Sequence, residues 1–295
     1  MKTPPPAPIP AYTELDAPVM ANARVAEGEY ELVLRAPPVA QTARPGQFLE
    51  ILAGEDATPP LRRPFSLYRV DRAAGTCALL YRARGAFTTR LAQKQAGETV
   101  SLLGPLGKPF AWPSDPQTRH ILIGGGIGVP PLTFLASELC RERAARGLDP
   151  RNVIAIIGAR TAELLVGLAE FGRLDIVLHA LTDDGTQGAR GLVTDLLDDL
   201  LARQALEEPL VPTRLYACGP MPMLQAIAGI ALARDLPCQV SVETAMPCGI
   251  GVCGECAVPV YDSAHKGKTV TALACVDGPV FEVRSLAWER LAPLP

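Results

Sequence analysis

With 295 residues, 48% of them hydrophobic, and 28 Lys and Arg against 31 Asp and Glu for a formal charge of −3, the chain can build two or three separate cores. The mean hydropathy of +0.17 excludes a disordered chain, and a charge near neutrality without a basic stripe excludes the electrostatic footprint of a nucleic-acid binder. Anionic small molecules must then be met by local devices.

The first ten residues, MKTPPPAPIP, read as a Pro-rich lead-in. From residue 11 to about 110, the stretches YELVL, QFLEIL, PFSLYRV and CALLYRA are separated by Gly and Pro clusters, and RPGQF at 44–48 is a turn entering a strand. Strands at this spacing predict a small antiparallel barrel or sandwich. Within LRRPFSLYRV, Arg63, Pro64, Phe65 and Ser66 place a guanidinium, a stiff backbone, an aromatic plane and a hydroxyl on one short strand. A flavin dinucleotide needs that set, a cation and hydroxyl for its diphosphate and a flat apolar wall for its ring. Taken alone, the four residues read more simply as an edge strand with a surface Arg and a core Phe. In LLYRARGAFTTRLA, Tyr81 and Arg82 fall on a second strand and Thr88 opens a helix after a Gly turn. Free amides and a hydroxyl there suit an anion, or Thr88 is an ordinary cap. AGETVSLLGPLGKPF predicts the strand that closes the barrel, with GPLG as a tight turn.

From about 111 to 236 the pattern changes to alternating strands and helices. HILIGGGIGVPPLTFLASELC reads as a buried strand, a glycine loop and an apolar helix; VIAIIGAR at 153–160, DIVLHALT at 175–182 and LYACGP at 215–220 are further strands, the last followed by a helix from Met221 to about Arg234. This predicts an open parallel sheet that binds ligands at the carboxyl ends of its strands. Two uncharged runs, 121–137 and 215–233, are each broken by Gly and Pro, so they predict strand, turn and helix and no membrane span. Gly124, Gly125, Gly126 and Gly128 depart from a strict G-x-G-x-x-G, since Pro130 and Pro131 follow, but they still allow a pyrophosphate to approach the backbone. Packing alone also explains glycines at such a turn. Cys218, Gly219 and Pro220 fit beside a nicotinamide, or are a buried strand end before a turn. Thr182, Asp183 and Asp184 either contact a ribose or solvate a loop, and the loop is the preferred reading.

The segment 237–295 carries Cys248, Cys253 and Cys256 at C-x4-C-x2-C, with Cys275 after an apolar ribbon that turns at Ser263 to Lys268. That is the plant-type spacing of a 2Fe-2S cluster, with Gly249, Gly251 and Gly254 letting the backbone wrap it. A zinc site usually pairs two C-x-x-C knuckles, and here there is one. Disulfides need an oxidising compartment, for which no signal peptide argues, and a Rieske centre needs two nearby histidines where only His265 is close. Cys77, Cys140 and Cys238 read as small buried residues in a reducing cytosol. A nicotinamide gives up two electrons as hydride and the cluster carries one at a time, so a flavin between them is chemically required.

LRRPFS, LLYR, GPLG, GGGIGVPPL, TDDG, YACGP, the cysteine loop and CVDGPVF together resemble the electron transfer subunit of class 1B dihydroorotate dehydrogenase, in the wider ferredoxin reductase superfamily, over nearly the whole chain. The resemblance implies a multidomain α/β plus β fold: a flavin-binding antiparallel β-barrel over 11–110, an NAD-binding parallel α/β domain over 111–236 and a 2Fe-2S domain over 237–295. It places Arg63, Pro64, Phe65, Ser66, Leu80, Tyr81, Arg82, Phe87 and Thr88 on FAD-binding positions, and Cys248, Cys253, Cys256 and Cys275 on the cluster ligands. Gly124, Gly125, Gly126, Gly128, Pro131, Cys218, Gly219 and Pro220 are the NAD candidates. The family usually has Gly-Thr where Phe87-Thr88 stands. The implied role is to carry electrons, in pyrimidine biosynthesis, from the FMN of a dihydroorotate dehydrogenase catalytic subunit through the cluster and FAD to NAD+. The implied setting is cytoplasmic, in a 2:2 heterotetramer, with no nucleic acid or membrane partner. The rivals are a flavin and iron-sulfur subunit of an NAD(P)H-ferredoxin oxidoreductase, hydrogenase or sulfite reductase, and a non-enzymatic cluster sensor.

Overall fold

The computed structural model describes residues 12–54, 61–206, 211–265 and 267–291. The predicted lead-in at 1–10 lies outside the described residues.

Six strands, β1 (Thr13–Ala26), β2 (Glu29–Arg35), β3 (Phe48–Leu52), β4 (Arg63–Asp71), β5 (Thr76–Arg82) and β6 (Thr99–Leu106), close an antiparallel barrel in the order β1-β2-β5-β4-β3-β6. Two short helices, α1 (Pro37–Thr42) and α2 (Ala86–Ala92), join its strands. The period-2 alternation of β5 has two destinations. Cys77, Leu79 and Tyr81 fill the barrel, while Ala78 and Leu80 face the core of the second unit. On β3, Leu49 and Ile51 point inward, whereas Phe48 joins the core formed with the sheet and the cysteine-bearing segment. The outer faces of β3, β4 and β5 are thereby turned toward the chemistry.

GPLG is not the predicted turn. Gly104, Pro105 and Leu106 continue β6, and the β3–β6 pairing shifts register between Phe48 and Glu50 to accommodate them. A Cβ on Gly104 would lie 2.4 Å from Leu49 Cδ2, so the close approach of β3 demands glycine here.

The second unit is a seven-stranded sheet built from β7 (Arg119–Gly125), β8 (Val153–Ala159), β9 (Val177–Thr182), β10 (Ala189–Arg190), β11 (Thr213–Cys218) and β12 (Cys238–Ser241), completed by β15 (Val280–Glu282). Between β12 and β15 the chain leaves the sheet to form the hairpin β13 (Ala257–Tyr261) and β14 (Thr269–Leu273). The sheet order is β10-β9-β8-β7-β11-β12-β15, parallel from β10 through β12, with β15 antiparallel at the edge. Helices α3 (Pro130–Ala145), α4 (Leu168–Gly172), α5 (Val193–Gln204) and α6 (Met221–Ala233) cover it. α5 buries Val193, Leu197 and Leu201, one residue per turn, against the strands. The two uncharged runs resolve as β7 with α3 and β11 with α6, and no helix among the described residues is long and apolar enough to cross a membrane.

The sheet continues past the expected boundary at 236/237. β12 and β15 both lie in the assigned cluster domain, yet both belong to the sheet, so the cysteine-bearing segment emerges as an excursion between two sheet strands. Anchoring both ends of that segment in one rigid layer fixes it against the barrel, which a terminal appendage on a single linker would not do.

Candidate functional site

The four predicted cysteines converge as two pairs. Cys248 and Cys253 bring their sulfurs to 3.3 Å, and Cys256 and Cys275 to 3.2 Å. Among the described residues, no three His, Cys, Asp or Glu side chains gather around a point as a single ion would need. Two pairs supply two irons with two thiolates each, so the donor set fits a 2Fe-2S cluster better than one zinc. The loop bends through Gly249 at φ +67° and Gly251 at φ +81°. A Cβ at Gly249 would lie 2.6 Å from Glu50 Cγ and 2.8 Å from Leu106 Cδ1, so its packing against the barrel also requires glycine. Burial disfavours ionisation of Cys248, but the amides of Cys253, Ile250 and Val252 and the Cys253 thiol outweigh it and bring the pKa down to about 6. Amides aimed at sulfur favour a thiolate, the form a metal takes. Behind the loop, the Ala274 amide donates to the Cys256 carbonyl at 2.9 Å and ties the two cysteine-bearing stretches together.

A cleft of about 370 Å³ lies between barrel and sheet. Pro64, Phe65 and Ser66 of β4 and Leu80, Tyr81 and Arg82 of β5 form one wall; Gly128, Pro130, Cys218, Ser241, Glu243 and Met246 are among those facing it. Of the FAD candidates, Arg63, Phe87 and Thr88 do not line this cleft. The Arg63 guanidinium donates to the Leu61 and Arg62 carbonyls and lies 5.6 Å over the Phe87 ring. Phe87 stacks on Phe65 at 6.1 Å, and Phe65 in turn meets Tyr81 edge-to-face at 5.7 Å. The Thr88 hydroxyl accepts the Arg84 and Gly85 amides at 2.9 and 3.0 Å and so orders the turn. A cleft wall of aromatic and apolar residues with the Ser66 hydroxyl and the Arg82 guanidinium on it fits a flavin dinucleotide.

A second cleft, of about 520 Å³, runs over the carboxyl ends of β7, β8 and β9. The NAD candidates Gly125, Gly126 and Pro220 line it, joined by Arg160, Asp183 and Met223, and its glycine-rich floor fits a nicotinamide dinucleotide. Other NAD candidates are placed differently. Gly124 is buried, and its missing Cβ leaves room for Ile157 and Leu132. Pro131 is buried in the first turn of α3. Gly128 and Cys218 face the first cleft, and Gly219 packs against the Gly125 backbone. The preferred loop reading of TDDG divides: Asp183 lines the cleft, while Asp184 binds the Thr186 amide and hydroxyl within the loop.

The two clefts meet. Arg82, Ile127 and Glu243 line both. Glu243 is open to the clefts yet surrounded by protein, and that desolvation raises its carboxyl pKa. Nothing local in ETAMPC marks it, because its importance comes from lying where two cavities join.

Glu50 was missed as well, although a lone carboxylate in the apolar strand QFLEIL is a readable signal. It is fully buried, with neither oxygen hydrogen-bonded. Burial first, and the Cys248 thiolate second, push its pKa from 4.5 up to about 8 against the pull of Arg62 and Arg63. Since the folded value is the higher one, the stability associated with the protonated form is full below the unfolded pKa and is lost as pH rises through the folded pKa, by at most about 1.4 kcal/mol per pH unit. Glu50→Gln is therefore expected to melt like the parent near pH 5 and above it at pH 8. Superimposable melting-temperature profiles would show that the carboxyl finds a partner in solution.

Residues 243–287 match the iron-sulfur cluster binding domain of dihydroorotate dehydrogenase B. The chain is 42% identical over 264 residues, covering 89% of itself and 94% of the relative, to the dihydroorotate dehydrogenase B (NAD(+)) electron transfer subunit of Geobacillus thermodenitrificans. It is 35% identical over 274 residues, 93% of itself and 98% of the relative, to the subunit of the same description in Desulforamulus reducens. Among solved structures, an NADH-dependent reduced ferredoxin-NADP oxidoreductase studied for flavin-based electron bifurcation superposes with a TM-score of 0.76 at 29% identity, covering 93% of this chain and 91% of that one. A ferredoxin reductase of carbazole 1,9a-dioxygenase, at 22% identity and a TM-score of 0.63 over 78% of this chain and 68% of its own, shares the fold.

Proposed function

This chain belongs to the family of dihydroorotate dehydrogenase B electron transfer subunits, and from that premise we propose how its residues divide the work of passing electrons to NAD+. The carrying observation is the junction of the two clefts at Arg82, Ile127 and Glu243. A flavin dinucleotide and a nicotinamide dinucleotide must touch to exchange a hydride, and two separate pockets would not let them. In this reading Pro64, Phe65, Ser66, Leu80, Tyr81 and Arg82 hold FAD, Gly125, Gly126, Asp183 and Pro220 hold NAD, and the two cysteine pairs hold the cluster. FAD held there would supply hydride exchange with NAD+ and one-electron exchange with the cluster.

The chain's own groups orient, exclude water and hold a proton. Cys218 is buried at the cleft floor, and burial raises its thiol far above the ordinary range, so it packs there as a neutral group. Electrons arriving singly bring no proton, whereas the hydride that leaves carries one. The Glu243 carboxyl, whose pKa desolvation raises, is the group at the junction able to supply it. Glu243→Gln is expected to lower the turnover of NADH formation about 100-fold, with KM for NAD+ within about threefold. In the parent, activity should fall as pH rises through the raised Glu243 pKa, and the variant should lose that limb; an unchanged profile removes Glu243 from proton supply.

Dihydroorotate oxidation belongs to a catalytic subunit carrying FMN, in a 2:2 cytoplasmic assembly. The exposed tip of the cysteine loop, with Val252 79% exposed beside Cys253, supports docking of that subunit where the cluster comes nearest the surface. Co-expression tests the whole reading: the pair should copurify and reduce NAD+ on addition of dihydroorotate. Reduction of ferredoxin by NADH without any response to dihydroorotate would favour the oxidoreductase rival, and a purified protein with cluster bands but no flavin would favour the sensor.

A further inference from the structure

Glu29, the first residue of β2, is fully buried and lies directly across the ladder from Arg82 of β5. Arg82 Nε donates to Glu29 Oε1 at 2.5 Å, and Nη2 makes an ion pair with the same oxygen. The other carboxylate oxygen, Oε2, is buried without a partner, and Arg82 Nη2 has no hydrogen bond of good geometry. The Arg82 side chain is 30% exposed, and that exposed part opens onto both clefts.

A buried ion pair kept only for stability is expected to satisfy both its oxygens, because each buried lone pair without a donor is costly. This pair leaves an acceptor orphaned behind the arginine while the guanidinium reaches a place where two anionic dinucleotides are to meet. A carboxylate behind a planar fork fixes the plane of that fork, which a lysine in the same position would not allow.

We propose that Glu29 is a positioning residue that aims Arg82 into the junction, so that one guanidinium serves the anionic groups of both the flavin dinucleotide and the nicotinamide dinucleotide. The inference rests on the flavin reading above. It assigns Glu29 no contact with either cofactor; it acts through the arginine it holds. The two cofactor affinities are consequently linked through one side chain.

The test uses the assembled complex with its catalytic subunit and compares the parent with Glu29→Gln, Arg82→Lys and the double variant. Both single variants should raise the FAD dissociation constant and KM for NAD+ about tenfold each, with kcat within about twofold, because charge-assisted contacts are lost and the reacting groups are untouched. The double variant should be no worse than the poorer single one, since both changes disable the same device. A merely structural Glu29 would lower the melting temperature without this KM-against-kcat split. The proposal is overturned if Glu29→Gln leaves both affinities unchanged, if only one of them moves, or if the two substitutions multiply. Should Glu29→Gln fail to fold, Arg82→Lys decides alone whether one side chain serves both cofactors: an effect on both supports it and an effect on one or neither overturns it. A parent protein without FAD would sink the flavin reading itself, whereas a flavin-loaded parent with indifferent variants sinks only this inference.

Discussion

Cys253→Ala is expected to empty the chain of iron while leaving FAD bound. Cys253 is one of four thiols arranged as two pairs, and its sulfur lies 3.3 Å from that of Cys248. Removing it leaves one iron with a single protein thiolate and an open side, since Cys253 is the exposed member of the set. None of the four cysteines lines the first cleft, proposed above for FAD, whose walls come from β4, β5 and the sheet. Iron and sulfide content per chain should therefore fall to near zero with flavin content unchanged. Electron entry from the catalytic subunit should be lost, whereas NADH oxidation by a small dye at the flavin should persist. Simultaneous loss of FAD would show that the cluster loop and barrel fold as one unit. Retention of iron would mean that the ligand set is wrong.

The second large effect is expected at Gly128. A Cβ there would lie 2.6 Å from the carbonyl carbon and oxygen of Cys218 and from Gly219 Cα. All three are backbone atoms of the neighbouring strand end, so no side-chain rotation relieves the contact. Gly128→Ala should destabilise by about 2–4 kcal/mol, a fall in melting temperature of roughly 5–10 °C, and should also widen the place where the glycine loop meets Cys218 and Gly219. The control is Gly229, exposed on α6 with nothing within 4 Å of a Cβ. Its change to Ala should be neutral or stabilising by about 0.5–1 kcal/mol. Equal melting of the two variants would show that the loop yields freely.

The glycine loop illustrates how far local pattern reaches. Four glycines after an apolar strand were enough to predict a turn that admits a dinucleotide, and Gly125 and Gly126 line that cleft. Which glycine does which task was not legible. Gly124 makes room for Ile157 and Leu132, and Gly128 for the Cys218 backbone, because those neighbours lie on other strands. Likewise Pro64, Phe65 and Ser66 of R-P-F-S line the first cleft, but Arg63 turns to Phe87 and to its own backbone, while Arg82 faces both clefts. GPLG looked like a turn because Gly and Pro punctuate most chains; the packing of Leu49 keeps it in β6 instead.

Order along the chain was sufficient for the iron chemistry, because three of the four cysteines lie within nine residues of one another and their spacing is itself the geometry of the loop. It was sufficient, too, for the barrel and the parallel sheet, whose alternation and apolar runs are written at short range. The join between the clefts, the return of β15 to the edge of the sheet and the buried carboxylates Glu29 and Glu50 were settled only by folding. Each of these depends on residues distant in the chain becoming neighbours; a lone acidic residue in an apolar strand, as Glu50 is in QFLEIL, can be noticed in the sequence, but not what will surround it.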